Sequence, residues 1–182
     1  MKRVVLVNGV PASGKTTVAR AVSESLGVPL LTLDTIKEQL FDELGSDGDR
    51  EFGRALGRAS LRAIWALIAD FPPDALVVVD AWFRLPPHDA VLGGLRAAGC
   101  DRWVELWCYA PADLLAQRYA GRERHAGHPS AEAYVAELMD LARTAKPMAI
   151  GPCLNLDTTD VGSLDIGPVV SWIRANLGTE CR

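Results

Sequence analysis

A single eight-residue stretch near the start of the chain constrains its fold most strongly. Residues 9–16 read GVPASGKT, which fits the pattern G-x-x-x-x-G-K-[ST]. The apolar run at residues 4–7 precedes the stretch, and residues 17–26 follow with apolar side chains at helical spacing. A glycine-rich turn between a buried strand and a helix aims backbone N–H groups and the positive end of the helix dipole at one point. The stretch therefore predicts a phosphate-binding loop.

The residue types in this loop predict how a nucleotide is held. Gly9 and Gly14 allow backbone conformations that a Cβ would obstruct. Lys15 would reach the β- and γ-phosphates, and the Thr16 hydroxyl would ligate Mg²⁺. The expected cofactors are ATP and Mg²⁺, although GTP in place of ATP stays open. The residues expected to hold the nucleotide phosphates are Gly9, Ala12, Ser13, Gly14, Lys15, Thr16 and Thr17.

Composition limits the class of protein. The 182 residues, of which 49% are hydrophobic, suit one α/β domain over residues 1–182 and exclude a disordered chain. A net charge of −4 disfavours nucleic acid as a partner. The four cysteines show no C-x-x-C spacing, no apolar run is long enough to span a membrane, and Met1 leads straight into a predicted strand. We expect a reduced cytoplasmic protein without a membrane segment, and the oligomeric state stays open.

Apolar runs typical of strands alternate with helical patterns along the chain. Strands are predicted at residues 4–7, 28–33, 76–79, 103–109 and 153–156, and helices at 17–26, 35–44, 49–69, 86–98, 111–121, 130–141 and 166–177. This alternation indicates α/β architecture with a five-stranded parallel sheet and helices on both faces. Ligands of such sheets bind beyond the carboxyl ends of the strands. The loops expected on that rim begin near Asn8, Asp34, Asp80, Ala110 and Asp157.

The chain resembles the P-loop small-molecule kinases. It looks most like chloramphenicol phosphotransferase-like proteins and the group that holds shikimate, gluconate and adenylylsulfate kinases and zeta toxins. The motifs that carry the resemblance are residues 9–16, Leu33-Asp34, Val79-Asp80, the run QRYAGRER at 117–124 and Leu156-Asp157-Thr158. The resemblance implies a three-layer P-loop NTPase fold with an arginine-bearing lid at about residues 118–130. It also implies ATP-dependent transfer of the γ-phosphate to a hydroxyl group of an antibiotic, sugar or other metabolite.

The family pattern implies roles for two carboxylates. Asp34 falls where the family has its catalytic or substrate-binding aspartate, which would orient the acceptor hydroxyl and accept its proton. The alternative is that Asp34 only caps the next helix. Asp80 ends an apolar strand, as a Walker B acid does, and would hold Mg²⁺ or bind substrate; its alternative is a turn residue. Trp82 would wall the acceptor pocket, or simply pack in the core.

The arginines of the predicted lid would act on the nucleotide. The resemblance implies that Arg122 and Arg124 neutralise charge on the transferred phosphoryl group and that Arg118 is placed to stack on adenine, although which arginine makes which contact stays open. A solvated helix end is the alternative for all three. Asp157 would belong to an adenine-side loop, or to an ordinary polar turn.

Arginines also recur at every fourth residue of the predicted long helix, at Arg50, Arg54, Arg58 and Arg62. A solvated basic face accounts for most of them, but Arg54 or Arg58 could reach an anionic or polar acceptor. His125 and His128 have H-x-x-H spacing without further ligands nearby, so lid movement or substrate contact is favoured over a metal.

Two other functions stay open at this point. A polynucleotide or RNA-end kinase on the same scaffold would need a basic trough beside the phosphate loop, which the net charge of −4 disfavours. A nucleotide-sensing interaction protein with little turnover would need Asp34 to be a cap only. ATP turnover measured with and without a panel of metabolites separates these functions.

Overall fold

Five parallel strands form the centre of the molecule. A computed structural model describes residues 1–45, 50–123 and 125–178. The strands are β1 (Lys2–Asn8), β2 (Leu30–Thr32), β3 (Leu76–Asp80), β4 (Cys100–Tyr109) and β5 (Cys153–Asp157). Their order in the sheet is β2-β3-β1-β4-β5, and every neighbouring pair is parallel. The predicted five-stranded parallel sheet is confirmed.

Helices cover both faces of the sheet, as predicted. They are α1 (Lys15–Leu26), α2 (Leu33–Leu44), α3 (Arg50–Ala69), α4 (Asp89–Ala97), α5 (Ala112–Ala120), α6 (Ala131–Thr144) and α7 (Ile166–Leu177). Helices α3 and α4 pack on one face of β1 and β3, while α1 and α7 pack on the other. Within the described ranges, no helix combines the length and apolar character needed to cross a bilayer.

Side chains of β1 alternate between the two cores. Val4 and Leu6 face the core on the α3 side, whereas Val5 and Val7 face the core on the α1 side, and all four are fully buried. A strand buried on both faces reads as the continuous apolar run seen in the sequence. Helices α5 and α6 form a third apolar cluster that includes Val10 of the phosphate loop.

Several element boundaries differ from the predicted ones. Helix α2 begins at Leu33 with Thr32 at its N-cap position, so Asp34 lies inside the first turn and the capping interpretation of Asp34 was wrong. Helix α4 begins at Asp89 rather than residue 86, because Pro87 disfavours the helical conformation of the residue before it, Pro86. Ser130 caps α6 as predicted, accepting a 3.3 Å hydrogen bond from the Ala133 N–H. Residues 46–49, which include most of a predicted loop, lie outside the described residues.

Candidate active site

The phosphate loop turns back on itself between β1 and α1. Gly9 has φ 155°, and a Cβ there would lie 2.4 Å from the Ser13 hydroxyl oxygen and 2.5 Å from the Cys108 carbonyl oxygen. Gly14 and Ala12 have φ values of 78° and 65°, in the left-handed region that favours glycine. No side chain caps α1 at Gly14, and the Thr17 N–H already donates to the Gly14 carbonyl at 3.0 Å. The N–H groups of Lys15 and Thr16 are therefore the first-turn donors left for an anion.

A buried hydrogen-bond relay fixes where this loop begins. The amide oxygen of Asn8 accepts hydrogen bonds from the N–H groups of Gly9 at 2.8 Å and Phe83 at 3.2 Å. The amide nitrogen of Asn8 donates to Glu105 Oε1 at 2.8 Å, and Glu105 Oε2 accepts from the Met148 N–H at 2.9 Å. Asn8 and Glu105 are both at most 1% exposed. The relay ties the start of the phosphate loop to the segment that follows β3.

Asp80 lies beside the phosphate loop without a hydrogen bond. It ends β3 and is 1% exposed, and neither carboxylate oxygen has a hydrogen-bond partner of good geometry among the described residues. Burial raises the pKa of this carboxyl group, while the Lys15 ammonium and the Thr16 hydroxyl lie close enough to oppose that rise. A buried, unpartnered carboxylate beside a hydroxyl is a donor set that fits Mg²⁺, a cation that prefers oxygen ligands.

A polar cavity of about 130 Å³ opens beside this cluster. Four separate parts of the chain contribute to its wall, including Thr32 at the end of β2, which brings together residues that are distant in sequence. They include Thr16 and Arg20 of α1, Asp34 and Glu38 of α2, and Arg122, His125 and His128 of the segment after α5. A second, more open cavity of about 320 Å³ lies against the same segment but has no phosphate-loop residue in its wall. The smaller cavity is therefore the candidate site for chemistry.

The segment 125–128 rests on α2 through three contacts. Two of them pair a histidine with a carboxylate, and the third joins an ammonium to a backbone carbonyl. They are His125 Nε2–Asp42 Oδ1 at 2.9 Å, His128 Nε2–Glu38 Oε1 at 2.8 Å, and Lys37 Nζ donating to the Gly127 carbonyl at 2.9 Å. Burial lowers the pKa of His128, and the nearby Asp34 and Glu38 charges act in the opposite direction. Among the described residues, no group of three or more His, Cys, Asp or Glu side chains is placed to hold a metal ion.

Arg118 lies at the opposite side of the phosphate loop. Its guanidinium donates to the carbonyl oxygens of Thr158 at 2.9 Å and Thr159 at 3.0 Å. The Thr158 hydroxyl is buried and donates to the Ser13 carbonyl at 2.6 Å. The Thr159 side chain, and the Thr159 N–H that donates to Asp157 Oδ1 at 2.8 Å, lower the pKa of Asp157 through their hydrogen bonds. Arg118 therefore holds the turn after β5 against the phosphate loop.

Other predicted residues lie away from the cavity wall. Trp82 is partly buried and packs against the α5–α6 cluster, with its ring centroid 6.1 Å from that of Trp107. Arg54 is half-exposed on α3 and lies 3.8 Å from Glu51. Arg124, the remaining predicted lid arginine, lies outside the described residues.

Two cations were missed by sequence reasoning. Lys37 lies one helical turn after Asp34 on α2, so the two share a face of that helix. Arg84 follows β3 with φ 68°, a conformation uncommon for a residue with a side chain. The i, i+3 spacing of Asp34 and Lys37 was a signal in the sequence, whereas nothing there marked Arg84.

Comparison with known proteins agrees with this architecture. A crystal structure from Chloroflexus aurantiacus, of a protein whose assignment as a kinase is itself provisional, superposes with a TM-score of 0.84 at 28% identity, covering 97% of this chain and 98% of that one. The shikimate kinase of Bacteroides thetaiotaomicron has the same fold, with a TM-score of 0.61 at 19% identity over 97% of this chain and 98% of that one.

Curated sequence relatives cover different shares of the chain. The cytidylate kinase of Methanocella arvoryzae is 24% identical over 168 residues, which is 90% of this chain and 85% of that protein. An uncharacterised protein of Mycobacterium tuberculosis is 28% identical over 130 residues, and the match spans 66% of this chain but 26% of that longer protein. Residues 4–148 match the family model AAA_33, described as an AAA domain. The chain therefore belongs to the AAA_33 family, and its fold is that of the P-loop small-molecule kinases.

Proposed function

We propose that this protein is an ATP-dependent kinase that acts in the cytoplasm and transfers the γ-phosphate of ATP to a hydroxyl group of a small molecule. The observation that supports this most is the 130 Å³ cavity, whose wall contains Thr16, Asp34 and Arg122 together. A hydroxyl placed in that cavity would meet the end of a triphosphate held by the phosphate loop. In this arrangement the carboxylate of Asp34 would lie beside the acceptor hydroxyl, and the γ-phosphate would lie on the other side of that hydroxyl.

The roles of the side chains follow from their positions. Lys15 and the N–H groups at the start of α1 would hold the β- and γ-phosphates. The Thr16 hydroxyl and the Asp80 carboxylate would hold Mg²⁺, which would supply neutralisation of the phosphate charge when bound. Arg122 and Arg124 would neutralise the transferred phosphoryl group. Arg118 and Asp157 would shape the adenine side through the turn after β5.

The acceptor oxygen forms a bond to the γ-phosphorus as the bond from that phosphorus to the β-phosphate oxygen breaks. The hydroxyl proton passes to the Asp34 carboxylate, and ADP leaves with the electrons of the broken bond. Burial of the site on the α2 side by residues 125–128 would exclude water, which otherwise competes as the acceptor. Trp82 and Arg54 remain proposed contacts of the acceptor. Because both lie away from the cavity wall, each side chain would have to move toward the cavity to make that contact.

Transfer to the phosphate group of a nucleoside monophosphate is the second candidate. It is favoured by the 24% identity with a cytidylate kinase over 168 residues. A phosphate acceptor is already an anion, so it needs no base in the position of Asp34. The effect of replacing Asp34 therefore separates the two functions.

The test measures ADP release from ATP and Mg²⁺ with two sets of acceptors, hydroxyl metabolites and nucleoside monophosphates. We expect stimulation by a hydroxyl compound and a strong loss in Asp34→Asn. The matched control is Asp113→Asn, which changes a carboxylate in the first turn of α5. Stimulation by CMP or UMP alone, with Asp34→Asn active, would replace this proposal with the second candidate.

A further inference from the structure

His128 keeps one ring nitrogen unused in the wall of the 130 Å³ cavity. Its Nε2 lies 2.8 Å from Glu38 Oε1. Its Nδ1 has no hydrogen-bond partner among the described residues, yet it is not one of the polar atoms buried without a partner. Nδ1 is therefore open to solvent, although only 11% of the side chain is exposed. Since His128 lines both cavities of the site, the open edge of its ring faces them.

The contact with Glu38 decides which nitrogen of His128 carries the ring proton. A carboxylate only accepts hydrogen bonds, so Nε2 is the protonated nitrogen of the neutral ring and Nδ1 keeps a lone pair. Burial lowers the pKa of His128, which favours the neutral ring, although the charges of Asp34 and Glu38 act in the opposite direction. Nδ1 therefore presents a hydrogen-bond acceptor to the cavity.

The backbone on both sides of the His128 ring is fixed. The His128 N–H donates to the His125 carbonyl at 3.0 Å, and the carbonyl of Pro129 accepts from the Tyr119 hydroxyl at 2.9 Å. Together with the bond to Glu38, these contacts hold the ring in one orientation before any ligand arrives. A side chain that is already ordered loses little conformational entropy on binding.

His125, the other histidine of this segment, provides the contrast. Its Nε2 lies 2.9 Å from Asp42 Oδ1, and its Nδ1 accepts from the Gly127 N–H at 3.1 Å. Its ring also meets that of Phe41 nearly at a right angle, with centroids 5.6 Å apart. Both nitrogens of His125 thus hold the segment on α2, whereas His128 uses only one for that purpose.

Asp34 and His128 offer two hydrogen-bond acceptors to one small cavity. Glu38 follows Asp34 by one helical turn, so both carboxylates lie on the same face of α2, and all three residues line the cavity. Because Glu38 is occupied by His128, the acceptors that this part of the wall offers are Asp34 and Nδ1. A ligand that fills the cavity can satisfy both if it carries two neighbouring donors.

We propose that His128 binds the substrate through Nδ1, which accepts a hydrogen bond from a hydroxyl that neighbours the one to be phosphorylated, while Glu38 positions the ring. This inference rests on the proposed kinase function and adds a class of substrate, molecules with adjacent hydroxyl groups. No proton passes to His128, because the reacting hydroxyl is the one at Asp34. A substrate held at two hydroxyls has little freedom to turn the reacting one away from the γ-phosphate. An analogue without the second hydroxyl leaves Nδ1 unpaired and is bound less well.

Two substitutions separate the roles of the two ring nitrogens. His128→Asn places an amide oxygen at the δ position, like Nδ1, but has no ε nitrogen to donate to Glu38. His128→Gln places an NH₂ group at the ε position, where it can still donate to Glu38, but has no hydrogen-bonding atom at the δ position. The matched control is His88→Gln, because His88 precedes α4 and lines neither cavity.

The first assay compares glucose, glycerol and myo-inositol as substrates, each beside its singly deoxygenated analogues. We expect the best substrate to have neighbouring hydroxyls, and the loss of one of them to lower kcat/KM by about 3- to 10-fold, the usual effect of one hydrogen bond. His128→Gln should show the same loss and no longer distinguish the deoxygenated analogue. His128→Asn should keep part of the preference, and His88→Gln all of it.

A histidine that only holds the segment gives the reverse order, because Gln keeps the bond to Glu38 and Asn does not. That order, or a preference for the second hydroxyl that survives in His128→Gln, would overturn the inference.

A second measurement needs no turnover. The chain has three histidines, so ¹⁵N-labelled histidine gives three sets of ring signals, which the variants assign. With ADP and Mg²⁺ bound, we expect the neutral His128 ring to carry its proton on Nε2. Its Nδ1 signal should move when myo-inositol or glycerol is added, while the His88 signals stay unchanged.

The outcomes of this measurement separate the inference from the kinase function. A proton on Nδ1, or an Nδ1 signal that neither polyol moves, would overturn the role of His128 and leave the kinase proposal standing. A responsive Nδ1 in a protein that phosphorylates no substrate would keep the binding site and reject the kinase.

Discussion

Glu105 offers the sharpest prediction about how the phosphate loop is held. Both of its carboxylate oxygens accept hydrogen bonds: Oε1 from Asn8 Nδ2 at 2.8 Å and from the Met148 N–H at 3.1 Å, and Oε2 from the same Met148 N–H at 2.9 Å. In Glu105→Gln, one of these oxygens becomes an NH₂ group. Whichever way the new amide is turned, an NH₂ faces another donor.

The size of the effect follows from that geometry. In one orientation the Asn8 Nδ2 donor loses its acceptor, and in the other the Met148 N–H keeps only its 3.1 Å bond to the remaining oxygen and faces the new NH₂ group. Either change costs up to about 1–3 kcal/mol of folding free energy. Asn8 cannot compensate by flipping its amide, because its oxygen already accepts from Gly9 at 2.8 Å and Phe83 at 3.2 Å. We therefore expect Glu105→Gln to lower the free energy of unfolding by about 1–3 kcal/mol and to weaken ADP binding, since Gly9 is displaced with Asn8.

Urea denaturation measures the first effect and calorimetric titration with ADP the second. The matched control is Glu24→Gln, which makes the same chemical change on an exposed side chain near the end of α1. A Glu105→Gln protein as stable as the control, to within about 0.5 kcal/mol, would refute the argument that both carboxylate oxygens of Glu105 are needed as hydrogen-bond acceptors.

Three further predictions concern the site itself. Asp34→Asn should lower turnover of the true acceptor by about 10²- to 10⁴-fold with little change in ADP affinity or melting temperature, whereas a loss of stability without a loss of rate would make Asp34 structural. Asp80→Asn should raise the melting temperature of the nucleotide-free protein while weakening Mg²⁺-dependent ATP binding. The pKa of Asp80 is raised above its ordinary 3.8, so the native state binds a proton more readily and loses stability as pH rises through that pKa. Melting curves across pH should be flatter in Asp80→Asn, and identical curves would contradict this. Backbone amides of residues 125–128 should exchange hydrogen more slowly when ADP is bound, and equal exchange with and without ADP would argue against a closing lid.

The sequence was sufficient for the sheet and the phosphate loop because their signals are local. Residues 4–7 are apolar without interruption, as a strand buried on both faces requires, and the glycine pattern at residues 9–16 follows directly. The start of α2 was harder to predict from the sequence, because aspartate is a favoured N-cap residue. Only the backbone shows that the helix begins one residue before Asp34, at Leu33.

The relay, Lys37 and Arg84 were missed for a different physical reason. Glu105 sits between Val104 and Leu106 in a strand, where alternation predicts a solvent-facing residue, yet a fifth strand and the segment around Met148 bury it. Arg84 and Lys37 are 47 residues apart in the sequence, and the charge of Arg84 acts on Lys37 because β3 ends beside β2, which α2 follows. Contacts of that kind depend on tertiary packing, which residue patterns along one segment do not encode.

The most direct test of the central claim follows the label of [γ-³²P]ATP in the presence of a pool of hydroxyl metabolites extracted from cells. Wild-type protein should move the label into an organic phosphate ester that survives removal of nucleotides, and Lys15→Ala, whose altered side chain faces the phosphate loop, should not. Label that appears only as inorganic phosphate, or only in nucleoside diphosphates, would contradict transfer to a small-molecule hydroxyl.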